Sequence, residues 1–438
     1  MTSTNLRTEA PASRSESLWH NANFLRFWLG ETLSLLGTQV TNLALPLTAI
    51  VAFHATAEQV GVLRFLQLAP YLALSLLFGI WVDRVRRRPV MLAANLARMV
   101  LLALIPMLYW LHALSMAPLL VIACAIGVAS VLFDVSWMSY VPTLVKDPEH
   151  YIEASAKMGI SSSSADVAGP GLAGLLVSAL TPPVALFADA FSYLISVISL
   201  LLIRTAHEPR PGPAATKRRL LVELREGLRW VFGSPILRAL ALIGFCCNFS
   251  MITVWTMFLL YGTHDLHLSA TTLGGIFATA SVGGLIGATL SQRIIRRFPL
   301  GRVYLIAQTA LLLGPTLIAL AAGPKPVMVG MFIASFFTSY LGLGVAGVII
   351  VSLRQTITPQ SMMGRMTAAF RTLLFGGGAL GGLFAGFLTG HIGARSALAV
   401  AATGSAAVVI ALVASPVNRL HHLPLATNDP AEAAVGRR

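Results

Sequence analysis

The chain has 438 residues, of which 56% are hydrophobic and only 11% charged. Soluble proteins carry roughly 25% charged residues, so lipid is the expected solvent for most of this surface. The net charge of +14 does not imply nucleic acid, because the basic residues sit in short clusters between apolar runs rather than on a basic, aromatic stripe.

In chain order, the first 26 residues are polar and lack the basic, apolar and small-residue regions of a secretory leader. They read as a cytoplasmic tail. Twelve apolar runs then approach the roughly 20 residues that a membrane helix needs. These are spans 1 to 12: 27–52, 59–81, 90–110, 117–141, 155–180, 183–204, 236–261, 270–291, 301–322, 326–350, 366–390 and 394–415. Between spans 6 and 7 lies the one long connector, 205–235, polar and then amphipathic. Leu220, Leu221, Leu224, Leu228 and Val231 share a face there, as expected of a helix on the membrane surface. The expected organisation is therefore a tail (1–26), a six-helix bundle (27–204), a cytoplasmic linker (205–235), a second bundle (236–415) and a tail (416–438). A weak repeat supports it. GPGLAGLL at 169–176 aligns with GGALGGLF at 377–384, and the same offset carries Gly79 onto Gly287.

With both termini inside, 25 of the 31 Lys and Arg residues fall in inner segments. Lys/Arg bias sets orientation, so both termini are expected in the cytoplasm of a bacterial inner membrane.

Ionisable groups inside spans are expensive and point to function. Glu31, Asp134, Asp166 and Asp189 all lie in the first half, and the second half keeps only Arg371. Asp166, Glu31 and Asp134 are the proton-coupling candidates. Each has a structural alternative: hydroxyl partners in SSSSAD for Asp166, an interfacial carboxylate for Glu31, and a cytoplasmic ion pair for Asp134. Asp189 reads as capping or helix packing. Arg98 is placed to neutralise Asp134, and Arg64 to snorkel outward. Other signals carry no chemistry. Cys124, Cys246 and Cys247 lack metal or disulfide spacing and read as inert thiols. The G-x-G-x-x-G of Gly376–Gly381 has no strand before it. Gly378, Gly382, Gly386 and Gly390 repeat every four residues, as in close helix packing. No P-loop is present, the outer histidines His54, His112, His264, His267 and His391 are scattered, and no cofactor, metal or enzymatic activity is expected.

The stretch Gly79-Ile-Trp-Val-Asp83-Arg84-Val-Arg86-Arg87-Arg88 resembles the signature between helices 2 and 3 of the major facilitator superfamily, with Arg86 where that family has glycine. Gly169, Pro170 and Gly174 resemble the helix-5 signature of its antiporters, with Ala156, Ala165 and Ala173 in place of three glycines. The helix-4 arginine is missing, Ala123 standing near its position. Asp189-Ala-Phe-Ser192, Glu226-Gly227-Leu-Arg229 and Gly364-Arg365 resemble the branch of macrolide-efflux and siderophore-exporter permeases, the transmembrane secretion effector type. The resemblance implies an all-α membrane protein of the major facilitator fold, with twelve transmembrane helices in two six-helix halves. It further implies a latch of Gly79, Asp83, Arg84, Arg87 and Arg88. Asp83 would face the start of span 11, and Arg87 or Arg88 an acid of span 4, with Asp134 the candidate. The alternative is that these arginines only fix topology.

In that fold the cavity is built by spans 1, 4, 7 and 10. Its candidates are Gln39 and Asn42, Trp137, Asn248 and Trp255, Phe336, Phe337 and Tyr340, with Arg371 from span 11. Packing aromatics are the alternative for part of this set. The expectation is a monomeric exporter of a lipophilic drug, siderophore or secondary metabolite, acting by proton antiport and alternating access. Its partners are a small-molecule substrate, protons and the lipid bilayer, with no nucleic acid. A proton-coupled uptake symporter, a lipid flippase and a non-transporting interaction protein are the alternatives.

Overall fold

The computed structural model describes residue 18 and residues 21–83, 85–144, 148–203, 220–359 and 362–422. The described residues form thirteen α-helices: α1 (Ala22–Leu47), α2 (Ala57–Asp83), α3 (Arg87–Trp110), α4 (Met116–Leu144), α5 (Pro148–Leu180), α6 (Pro182–Leu202), α7 (Leu220–Gly233), α8 (Pro235–Leu260), α9 (Ala270–Arg297), α10 (Leu300–Ala319), α11 (Lys325–Ile357), α12 (Met363–Ile392) and α13 (Ala394–Val413). Judged on the described residues, eleven of these helices, α1, α3 to α6 and α8 to α13, are long and apolar enough to cross a membrane. Large apolar side chains such as Trp110, Val121, Phe191, Ile306 and Ile410 point outward, the arrangement lipid favours and water does not.

The helices run past the apolar spans. Helix α5 begins at Pro148 rather than near 155, and α11 ends at Ile357 rather than near 350. Hydropathy marks where lipid ends, whereas backbone hydrogen bonding carries a helix on into the polar layer. Local signals set several starts. Asn21 accepts from Asn23 N and Phe24 N to cap α1, and Ser234 caps α8 with Pro235 at its first position. The first helix of each set of six ends in a π-helical segment, Thr48–Ala52 after α1 and Tyr261–Asp265 after α8.

Helices α1 to α6 pack together, as do α8 to α13, and the two sets meet through α5 against α9 and α2 against α12. One face of the bundle carries the start of α1, where Arg26 donates to Leu202 O of α6 at 2.7 Å. It also carries the end of the described chain, where Gly301 N donates to Leu420 O at 2.8 Å. This terminal face holds two separate apolar cores. One is built of Phe27, Met91, Tyr140 and Leu200 from the first set, the other of Tyr304, Leu353, Met366 and Phe370 from the second. Toward the opposite face a single core joins both sets, from Leu45 and Leu63 to Phe258, Phe332 and Ala385.

Glycines close that opposite face. A Cβ at Gly174 of α5 would meet Gly274 Cα of α9 at 3.0 Å, and one at Gly386 of α12 would meet Gly61 Cα of α2 at 2.9 Å. Only glycine permits backbones to approach this closely. Ser178 and Thr271 then share a hydroxyl hydrogen bond of 2.6 Å between α5 and α9. The bundle is thus sealed on one side and divided on the other.

Candidate functional site

A cavity of about 420 Å³ lies between the two sets, on the terminal side of this seal. That volume suits a drug-sized solute. Helices α1, α2, α5, α8, α9 and α11 line it, mostly with apolar side chains. Gln39 and Asn42 come from α1, Asp166 from α5, Trp255 from α8 and Tyr340 from α11.

Asp166 is exposed to the cavity and accepts a 2.6 Å hydrogen bond from Gln39 Nε2. Its neighbourhood explains two residues of the GPG stretch. A Cβ at Gly169 would overlap the Cβ and Cγ of Gln39, so the glycine lets Gln39 lie flat on α5 and reach the carboxylate one turn earlier. Pro170 lines the cavity beside it, and Gly174 forms the seal above.

Arg64 does not snorkel outward. It turns into the cavity, with its guanidinium 4.7 Å from the Trp255 ring and Nη1 donating to Gln67 Oε1 at 3.1 Å. The reason is its seat on α2. Gly382 of α12 passes against Arg64, where an added Cβ would meet Arg64 Cβ at 3.0 Å, so α12 blocks the outward path. Trp255 also stacks on Phe277, with centroids 5.4 Å apart. Sequence reasoning missed Arg64, Phe277 and the small cavity-lining residues Ser281 and Gly284 of α9. Depth along a helix is readable from sequence, but which neighbour stands beside a side chain is not.

Other predicted residues lie elsewhere. Trp137 packs against the terminal core of the first set, its indole Nε1 buried without a hydrogen-bond partner. Asn248 faces α12, where a Cβ on Gly378 would meet its Oδ1 at 3.0 Å. Phe337 lies against Gly283 of α9, and Phe336 is buried edge-on to Phe258 and Phe277. None of the four lines the cavity.

Inside the first set, Glu31 is only 8% exposed and its Oε2 is buried without a hydrogen-bond partner. Arg98 and Asp134 both lie within electrostatic reach of it. Arg98 donates to Tyr193 Oη at 3.2 Å and to Asn95, and stacks on Phe133 and Tyr193, each centroid 4.3 Å away. Asp189 accepts from Thr41 at 2.5 Å and from Ser192 at 2.9 Å, tying α6 to α1. Asp134 takes its ion pair from Arg371 of α12, at 3.6 Å, and a 2.9 Å hydrogen bond from Tyr71 of α2. Arg98 therefore acts mainly within the first set, while Asp134 is anchored across the two sets.

A family model, the Major Facilitator Superfamily, matches residues 27–382 and 249–431, which is most of the chain. The chain belongs to the Major Facilitator Superfamily. It is 24% identical over 403 residues to the multidrug efflux pump Tap of Mycolicibacterium fortuitum, covering 89% of this chain and 94% of that protein. It is 24% identical over 412 residues to the Tap pump of Mycobacterium tuberculosis, covering 87% and 90%. Among solved structures, the nucleoside transporter NupG superposes with a TM-score of 0.71 at 13% identity, over 90% of this chain and 98% of that one. A bacterial homologue of the human lysosomal transporter Spinster superposes with a TM-score of 0.66 at 17% identity, over 92% and 96%. At these identities the superpositions establish the fold alone.

Against the Major Facilitator Superfamily signature, Gly79 lies in α2 with open space around it, since an added Cβ would meet nothing within 4 Å. Asp83 ends α2, but its side chain and the whole of Arg84 lie outside the described residues. Arg87 opens α3. Arg88 donates through Nε to Leu200 O at 2.9 Å and through Nη2 to Leu201 O at 3.0 Å. A cation on the unsatisfied carbonyls of a helix end is favourable, so Arg88 caps α6 here rather than pairing with Asp134. The linker helix is present as α7, and it docks through Glu226 on Arg365 of α12 at 2.7 Å.

Proposed function

We propose that the protein is a secondary transporter of the bacterial inner membrane that exports a lipophilic drug or secondary metabolite by proton antiport with alternating access. The observation that carries this reading is the cavity itself. It pairs an aromatic wall, Trp255 and Phe277, with a solute-facing carboxylate, Asp166, at the seam between two sets of helices. The efflux-pump names of relatives that match along most of the chain support the direction.

In the proposed architecture α2 is the remaining span. The bundles are 27–204 and 236–415, the linker 205–235 is cytoplasmic, as are the tails 1–26 and 416–438, and the protein acts as a monomer. The terminal face is then cytoplasmic and the conformation opens inward. A solute enters between the separate cores and meets Asp166, which releases its proton as the solute binds. Glu31 and Asp134 are the further proton carriers. Closing the cytoplasmic side brings the Asp83–Arg88 stretch onto the second set, and opening the far side separates Gly174 from Gly274 and Gly61 from Gly386.

Efflux of a panel of lipophilic dyes and macrolides from expressing cells, with and without a protonophore, tests the reading. Expression-dependent efflux that the protonophore abolishes is expected. Dye that accumulates faster in expressing cells, or efflux indifferent to the protonophore, would overturn it.

A further inference from the structure

The cavity holds two opposite charges that do not pair with each other. Asp166 on the α5 wall accepts only from the neutral Gln39 among the contacts described. Arg64 on the α2 wall donates to the neutral Gln67 and rests on Trp255, while its Nε is buried without a partner. Among the described residues no carboxylate lies within ion-pair distance of Arg64 and no cation within ion-pair distance of Asp166. Tyr340 stands within electrostatic reach of both, so the two charges flank one space.

A charge taken out of water must recover its solvation from a partner. A purely cationic solute would satisfy Asp166 and leave Arg64 facing a like charge. A purely anionic solute would satisfy Arg64 and be repelled by Asp166. A neutral solute would leave both charges uncompensated. We propose that this cavity selects amphoteric solutes, molecules that carry an ammonium or iminium group for Asp166 and a carboxylate or similar anion for Arg64 on one lipophilic aromatic frame. The frame lies along Trp255 and Phe277. Gln67 takes Nη1 and Nε is buried, so among the contacts described Nη2 is the nitrogen left to donate a charge-assisted hydrogen bond to an anion. Gly382 contributes by holding Arg64 against the cavity.

The inference rests on the reading of this cavity as the solute site, but its test needs neither flux nor a proton gradient. Rhodamine B is a zwitterion at neutral pH, and its ethyl ester keeps the chromophore and the cation while losing the carboxylate. Binding of both dyes to the purified full-length protein in detergent is read by fluorescence anisotropy, with protein-free micelles as the blank. The wild type is expected to bind the zwitterion about tenfold or more tighter than the ester, the scale of a charge-assisted hydrogen-bonded contact. Arg64→Gln is expected to remove that preference by weakening the zwitterion alone, Arg64→Lys to retain part of it, and Asp166→Asn to weaken both dyes. Equal or tighter binding of the ester by the wild type, or binding of neither dye, overturns the proposal without any reliance on a variant. Equal loss of both dyes in a monodisperse Arg64→Gln protein also contradicts it. A preference for the zwitterion in a protein that shows no proton-dependent efflux would instead sink the transport reading and leave the selectivity standing.

Discussion

Arg371 of α12 and Asp134 of α4 form an ion pair that bridges the two sets of helices, with Nη2 3.6 Å from Oδ2 and Tyr71 donating to the same carboxylate oxygen. Tyr71 in turn stacks on Phe375, one turn beyond Arg371, at a centroid distance of 4.3 Å. A carboxylate of one set is thus held by a cation and an aromatic stack that involve the other. Alternating access requires the two sets to rock against each other, so this pair belongs to one conformation.

Removing either partner should cost stability in the observed state, and removing both should cost less than the sum. Both side chains are about a third exposed, which limits the effect. A coupling of about 1 kcal/mol is expected from a double-mutant cycle. Melting midpoints of the purified wild type, Asp134→Asn, Arg371→Gln and the double variant measure it. Additive midpoints would mean that the pair does not couple the two sets.

Gly174 and Gly274 set how closely α5 approaches α9. Gly174→Leu should therefore hold the far face apart and trap an outward-open state. Spin-label distances between the far ends of α5 and α9 should lengthen, and transport should fall by about tenfold or more. Unchanged distances would show that the seal does not depend on this contact.

Gly169 provides the room in which Gln39 reaches Asp166. Gly169→Ala should cost about 1–3 kcal/mol through overpacking and weaken dye binding. Gln39→Gly in the same chain removes both colliding atoms, Cβ and Cγ, and should recover the overpacking cost apart from the about 1 kcal/mol of a glycine within a helix, without restoring dye binding. A Gly169→Ala protein as stable as the wild type would place Gln39 elsewhere.

Glu31 is buried with an unpartnered carboxylate oxygen and Arg98 within electrostatic reach. As a proton carrier, it should be replaceable by glutamine without loss of fold. Glu31→Gln should keep solute exchange down a solute gradient and lose the response to a pH gradient. Proteoliposome counterflow and gradient-driven flux separate the two. Loss of both together would make Glu31 structural.

The long apolar runs made the membrane helices legible, and the residues of the Gly79–Arg88 and GPG stretches pointed to the superfamily. Residue depth was also readable, and Asp166, Gln39, Asn42, Trp255 and Tyr340 all line the cavity. Azimuth was not. In a helix that is apolar all round, nothing distinguishes an aromatic facing a cavity from one facing a core, so Trp137 and Phe337 look the same as Trp255. Arg64 was misread for the same reason. Its course is set by Gly382, a residue far away in the chain that packs beside it. The capping role of Arg88 on α6 likewise depends on a tertiary contact that spacing alone does not contain.

The most direct test of the account is solute flux in proteoliposomes under an imposed pH gradient, comparing wild type with Asp166→Asn. The account predicts that protons moving one way drive the solute the other way in the wild type. It also predicts that Asp166→Asn loses this drive while still exchanging solute. Wild-type flux indifferent to the gradient, or undiminished coupling in Asp166→Asn, would contradict it.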